Sequence, residues 1–190
     1  MKILAVDSTG EVLSVAVGPH QLLKKSKKHD EALLPLLERL LKKAGLAWKE
    51  LDAVAAASGP GRFTGIRVGM SFAAAAGFQL KIPALAISRL AAAAGRSKEK
   101  NVLAALPGWK DEVYSQTYYG GSARDAAAWT APKEWPAYRD AAEKRGLAVV
   151  YGETTAADLL PVARACLAAK KIPPFKPFYL KPAGYEKLRR

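Results

Sequence analysis

Apolar residues recur in two rhythms along this chain, and the change from one to the other marks its elements. Residues 2–7 form an apolar run ending in Asp7, and residues 12–18 form another after the polar turn Ser8-Thr9-Gly10-Glu11. That arrangement predicts two antiparallel strands joined by a short loop, with a weaker third strand at 21–24. From 31 to 44 the period lengthens: Leu33, Leu34, Leu37, Leu40, Leu41 and Ala44 recur at steps of three and four, while Glu38, Arg39, Lys42 and Lys43 take other faces. This is an amphipathic helix, with Asp30 as its expected cap, Gly45 as its stop, and Pro35 predicting a kink or a late start. Residues 51–58 read as a buried strand, 59–65 as a glycine-rich loop, the stretch up to 80 as a helix, 83–87 as a strand and 88–94 as a short helix. Such alternation predicts parallel sheet with crossover helices.

The polar stretch 95–100 interrupts this pattern and places a boundary, with domains at 1–98 and 99–190. The second half repeats the first half's order: a strand pair at 102–106 and 112–119, a strand at 148–151 and a helix at 155–170. Its middle, 120–136, is rich in Ala, Gly, Trp and Pro and has no assignable period. The dense prolines from Pro173 to Pro177 exclude a helix and predict an extended strap. Two hairpin-plus-helix units in tandem predict a duplicated α/β architecture.

Composition narrows the function classes. With half of its 190 residues apolar, the chain can bury a core and is not a disordered segment. One cysteine and two histidines exclude an internal disulfide and the usual Cys/His zinc sites, and predict a reducing, cytoplasmic setting. Cys166 lies in an apolar helical stretch, where burial predicts an inert thiol. The longest apolar stretch, 68–87, is broken by Gln79, Lys81 and Pro83, so no membrane span is expected. The net charge of +13 is spread over both halves. A spread positive potential attracts polyanions without building a groove, so a solvated lysine-rich surface and contact with nucleic acid both remain open.

The 59–65 loop joins a strand to a helix, the geometry in which backbone amides receive a phosphate, and Gly59, Gly61, Thr64 and Gly65 are its candidate residues. It lacks the lysine of a P-loop and the spacing of a dinucleotide fingerprint, so a tight turn with close packing is the competing reading. Asp7, with Ser8 and Thr9 in the following turn, is a candidate for a magnesium-bound phosphate, and a capped turn serves the same residues. No metal site is expected, since His29 has no second histidine four residues on, and no cooperating carboxylate pair is expected, since Asp111 and Glu112 point to opposite faces of a strand. No nucleophile and base pair emerges either. Along the helix after the loop, Gly65, Gly69, Ala73 and Gly77 are spaced by four and leave a face with little bulk, while Ile66, Met70, Ala74 and Phe78 form an apolar row suited to a sheet. An interior glycine costs up to about 1 kcal/mol against alanine, so the repeat points to a close contact.

Several segments together resemble the TsaB (YeaZ) family: Ile3-Leu-Ala-Val-Asp7-Ser-Thr9, His29-Asp-Glu31-Ala-Leu-Leu-Pro35, Leu51-Asp-Ala-Val54, the loop and helix from Gly59-Pro-Gly-Arg-Phe-Thr-Gly65 to Gly69, and Ile82-Pro-Ala-Leu-Ala-Ile-Ser88. The resemblance implies a fold of the actin and sugar-kinase (ASKHA, ribonuclease H-like) class, with a short second lobe. It also implies a non-catalytic, cytoplasmic subunit that binds and activates a TsaD-type protein in making N6-threonylcarbamoyladenosine at position 37 of tRNA. No cofactor is expected on this chain; ATP and a metal ion would belong to the partner complex, which includes a TsaE-like ATPase. The implied partner helices are 31–44 and 63–79, with Leu33, Leu37, Leu40, Leu41, Phe63, Ile66, Gly69, Met70, Ala73 and Gly77 as interface residues. A homodimer is expected when the chain is alone, and Gly69→Leu is expected to break pairing while leaving the monomer folded. Two departures stand out: Arg62 replaces a usual serine, and Pro107-Gly108-Trp109 replaces an Asp-Ala-Arg triplet before Glu112-Val113-Tyr114. The alternative is an independent ATPase or small-molecule kinase built on Asp7, Thr9 and the glycine loop. Direct tRNA contact through the basic surface is a further expectation.

Overall fold

A computed structural model describes residues 1–180. Three strands open the chain: β1 (Ile3–Asp7), β2 (Val12–Val17) and β3 (His20–Lys25). They are followed by α1 (His29–Ala44), β4 (Ala53–Gly59), α2 (Phe63–Leu80), β5 (Ala84–Ser88) and α3 (Arg89–Ala94). The first sheet has the order β3-β2-β1-β4-β5, with β2 antiparallel to β1 and to β3, and with β4 parallel to β1 and to β5.

Alternation along the strands distributes the core. Leu4, Val6, Leu13, Val15 and Val17 face α1, whose Leu33, Leu36, Leu37, Leu40 and Leu41 are buried against them. Val54, Ala56 and Ala86 face Ile66, Met70 and Ala73 of α2. Ile3, Ala5, Ala53, Ala55, Ala57, Leu85 and Ile87 point to the other side. The whole of β4, Ala-Val-Ala-Ala-Ala-Ser-Gly, is buried, and its small side chains allow helices to approach both faces of the sheet.

The second unit comprises β6 (Asn101–Pro107), β7 (Val113–Tyr119), β8 (Ser122–Ala123), β9 (Ala128–Thr130), α4 (Trp135–Lys144), β10 (Ala148–Tyr151) and α5 (Ala156–Ala168). Its sheet runs β10-β6-β7-β8, with β9 also paired to β7. Helix α3 packs on one face through Leu90, Ala93 and Ala94, and α4 covers the other with Ala142 and Trp135. Helix α5 leaves this unit altogether. Ala156, Leu159, Leu160 and Ala163 pack on the open face of the first sheet, so the chain passes between the lobes at 95–100 and again at 152–155. The two sheets have the architecture implied by the resemblance, whereas the helix expected within the domain at 99–190 packs on the first sheet, where its apolar side chains cover Ile3, Ala5, Leu85 and Ile87.

Local details differ from expectation. Helix α1 starts at His29 without a side-chain cap from Asp30, which instead lies in the first turn, where its charge suits the helix dipole. Pro35 sits inside an undivided helix. It and Glu31, whose carbonyl it leaves without a donor, are both exposed, so water can satisfy that oxygen. The third strand extends over six residues, and α4 begins at the end of the stretch without an assignable period and runs on through 144, where no element is expected. Residues 169–180 run as the expected strap, pinned where the Phe178 N–H donates to the Ser58 carbonyl at 2.7 Å. The stretch 181–190 lies outside the described residues.

Candidate functional site

A cleft of about 790 Å³ opens between the lobes, with Thr9, Gly61 and Arg62 on one wall and Gly108 and Tyr114 on the other. Its base is formed by charge. Asp7 at the end of β1 and Arg89 at the start of α3 are each only 2% exposed. Arg89 Nε donates to Thr154 Oγ1 at 2.8 Å and lies 3.4 Å from Asp7 Oδ2. One terminal nitrogen donates to the Pro60 carbonyl at 2.9 Å, and the other meets the Glu153 carboxylate. Asp7 Oδ1 accepts from the Thr9 N–H at 3.0 Å and from Thr9 Oγ1 at 2.6 Å, while Oδ2 accepts from Thr154 Oγ1 at 3.2 Å. Both carboxylate oxygens are therefore occupied within the chain. A buried charge demands such pairing, because desolvation without a partner costs several kcal/mol.

The phosphate candidates fall into this same region, where their immediate contacts are with one another. The Arg62 N–H donates to the Thr9 carbonyl at 2.8 Å. A Cβ on Gly61 would lie 2.8 Å from Thr9 Cβ, and one on Gly59 would run into the Phe178 carbonyl. Thr64 is exposed at the start of α2 and is not among the residues that line the cleft. The arrangement supports the close-packing reading of the glycines.

The small-residue stripe of α2 is corrected by the structure. Gly65, Gly69, Ala73 and Gly77 do not await an outside helix; they are buried against their own sheet and turn. A Cβ at Gly65 would strike the Ser8 carbonyl, one at Gly69 would lie 2.7 Å from Ser8 Oγ, and one at Gly77 would lie 3.0 Å from Ala84 Cβ. Ser8 Oγ donates to the Gly65 carbonyl at 2.7 Å, which explains the close approach. Gly69→Leu therefore strikes the monomer's own core. In the same way Leu33, Leu37, Leu40, Leu41, Ile66 and Met70 are buried inside the protomer, so the residues expected at an interface are mostly those that hold the two helices to their sheet. The row expected on the sheet divides: Ile66 and Met70 are buried, whereas Ala74 and Phe78 are exposed.

What α1 and α2 present outward is another set. Phe78 is 87% exposed and Leu34 is 54% exposed, with Thr64, Arg67, Ser71, Ala74 and Ala75 also outward on α2. Phe63 is half-buried: the Tyr179 ring lies 4.8 Å away, and the Arg67 guanidinium sits 3.9 Å above the Phe63 ring while donating Nε–H to Tyr179 Oη at 3.2 Å. The strap thus ends on the first turn of α2.

The structure also gives roles to residues for which the sequence suggested none or only a passive one. His29 is buried, with Nδ1 2.9 Å from the Ser8 carbonyl, which ties α1 to the turn after β1. Arg96 grips Asp158 through two nitrogens at 2.9 and 2.7 Å and donates to the Glu153 carbonyl at 2.6 Å. Burial pushes the Asp158 carboxyl up, but the hydrogen bonds from Arg96 and Thr155 outweigh it and hold the group below the usual carboxylate range. The bond to Asp158 raises Arg96 in turn. Burial raises the Cys166 thiol, consistent with an unreactive side chain. Among the described residues no cluster of His, Cys, Asp and Glu could hold a metal ion, and no helix is long and apolar enough to cross a membrane. The signal for Arg89 is an arginine directly after an apolar strand, at the strand-end position where α/β sites gather.

The family model described as TsaD, tRNA N6-adenosine threonylcarbamoyltransferase, matches residues 23–132. The tRNA threonylcarbamoyladenosine biosynthesis protein TsaB of Buchnera aphidicola (Acyrthosiphon pisum) is 34% identical over 61% of this chain and 57% of its own length. TsaB of Haemophilus influenzae is also 34% identical, over 60% of this chain and 52% of its own length, so the matched stretch spans little more than half of each of these relatives. TsaB of Escherichia coli is 29% identical over 95% of both chains. Among solved structures, YeaZ from Pseudomonas aeruginosa superposes with a TM-score of 0.71 at 28% identity, covering 94% of this chain and 99% of that one. With a family model spanning more than half of the chain and a shared two-lobed fold, the chain belongs to the TsaD-like family, in its TsaB (YeaZ) branch.

Proposed function

We propose that this chain is a non-catalytic, cytoplasmic subunit of tRNA threonylcarbamoyladenosine synthesis, binding a TsaD-type catalytic protein through the outward faces of α1 and α2. The names of its relatives support the pathway. The single observation that carries the supporting role is the base of the cleft, where Arg89 neutralises Asp7 and both carboxylate oxygens are already bonded. A magnesium-bound phosphate would need that carboxylate free. Nucleotide and metal chemistry then belong to the partner complex, with a TsaE-like ATPase acting through it. The exposed apolar Phe78 and Leu34 suit a helix-packed contact, and the same face would pair two copies when the partner is absent.

Co-purification with a TsaD-type partner tests the proposal. Phe78→Glu and Leu34→Glu are expected to abolish stoichiometric capture without changing the melting temperature, and capture at the unmodified level would overturn it. Magnesium-dependent ATP turnover by the isolated chain would favour the kinase reading instead. Contact with tRNA has its own support: Lys25, Lys27 and Arg62 line the cleft mouth and make no ion pair among the described residues. Such contact predicts binding that falls steeply with salt, and retention unaffected by salt would remove it.

A further inference from the structure

The two crossings between the lobes are both held by arginines that flank α3. Arg89, its first residue, reaches Asp7 and the Pro60 carbonyl in the first lobe, and Glu153 and Thr154 on the second crossing. Arg96, just beyond its end, grips the Glu153 carbonyl and Asp158 at the start of α5. Thus four segments distant in sequence, around residues 7, 60, 89 and 154, meet at one buried guanidinium. Chains of two lobes joined by two short crossings have a hinge at those crossings unless something spans them. Here Gly152 precedes the gripped residues with a φ of +139°, a conformation that favours glycine, and its N–H donates to the Ala105 carbonyl at 3.1 Å, so the crossing leaves the second sheet at this residue.

We infer that Arg89 is an interlobe latch: its guanidinium clamps the 152–155 crossing to Asp7 and Pro60 and holds the cleft at one width. The lobes then move as a single body, and partner surfaces on the first lobe keep a fixed relation to the second. The latch belongs to the isolated chain and does not depend on which partner binds, so its test is separate from the pairing test above. The Asp7 carboxylate is buried with the Arg89 guanidinium 3.4 Å away, so removing Arg89 alone would leave it without a counter-charge.

Spin labels at exposed Lys24 and Lys110, in a Cys166→Ser background, report the cleft width by pulsed electron resonance, and hydrogen exchange reports the crossing. The unmodified pair is expected to give one narrow distance. Arg89→Met combined with Asp7→Asn removes both charges, and is expected to broaden that distance and to speed exchange at 152–156 by about ten-fold. A second variant, Glu153→Gln with Thr154→Val, leaves the Asp7–Arg89 pair in place, keeps the chain folded and is expected to show the same broadening to a smaller degree. Narrow distances and unchanged exchange in either folded variant would overturn the latch.

Discussion

The two lobes begin with the same plan and end with different degrees of completion. The first sheet has β1 at its centre, flanked by β2 and β3 on one side and β4 and β5 on the other, with helices on both faces. The second sheet, also of five strands, has β6 in the corresponding place, with β7 and the short β8 and β9 beyond it on one side and β10 alone on the other. Its outer face is covered by α4, which buries only Ala142 beyond the half-buried Trp135, and the helix that would complete it, α5, has gone to the first sheet. Apolar burial is what offsets the entropy of ordering a chain, so the lobe with one thin face depends on its neighbour. The lesson is that duplicated topology does not imply two independent stabilities.

That contrast is sharpest where the first lobe packs tightest. Gly65→Leu, which drives a side chain into the Ser8 carbonyl, is expected to prevent folding altogether, read as loss of the cooperative circular-dichroism transition. Leu37→Ala, in the fully buried row of α1, is expected to cost about 3 kcal/mol in urea unfolding. Leu147→Ala in the second lobe is expected to cost about 2 kcal/mol, and its opening should appear first in hydrogen exchange over residues 135–151. Equal protection of both lobes in that experiment would break the comparison.

Asp158→Asn probes the tie between lobes and has a pH signature. The carboxyl sits lower in the folded chain than in the unfolded one, so its contribution is present above the unfolded value and fades as pH falls through the folded value. The variant should therefore be less stable at neutral pH, by on the order of 1 kcal/mol given the partly exposed pair, and should match the parent chain in acid. Denaturant titrations stepped down from pH 7 into acid check that the difference shrinks as the carboxyl takes up its proton. Smallest of all, Phe78→Ser on the outer face of α2 should leave stability within about 0.5 kcal/mol, since it removes no buried contact.

Much of the first lobe was legible in the chain because its signals are long and regular. The leucines of α1 keep a helical period over four turns, and the apolar runs of β1, β2 and β4 have obvious ends. The glycine stripe was equally visible but pointed the wrong way: spacing reveals a bare face and says nothing about whether a sheet or a stranger lies against it. Helix α4 was missed because it is short and mostly polar: its apolar spacing, Trp135, Tyr138 and Ala142, covers barely two turns and begins inside a stretch without an assignable period. The latch was beyond reach, because Arg89, Asp7 and Thr154 lie up to 147 positions apart and only tertiary folding unites them.

The passage of α5 back to the first sheet also dictates a schedule. While the polypeptide is being made, the strands bearing Ile3, Ala5, Leu85 and Ile87 emerge long before Leu159, Leu160 and Ala163 exist to cover them. The earliest half must wait, greasy on one side, until α5 has been made. Nascent chains released before residue 156 should accordingly seek chaperones or clump, and native structure should appear only after α5 leaves the ribosome.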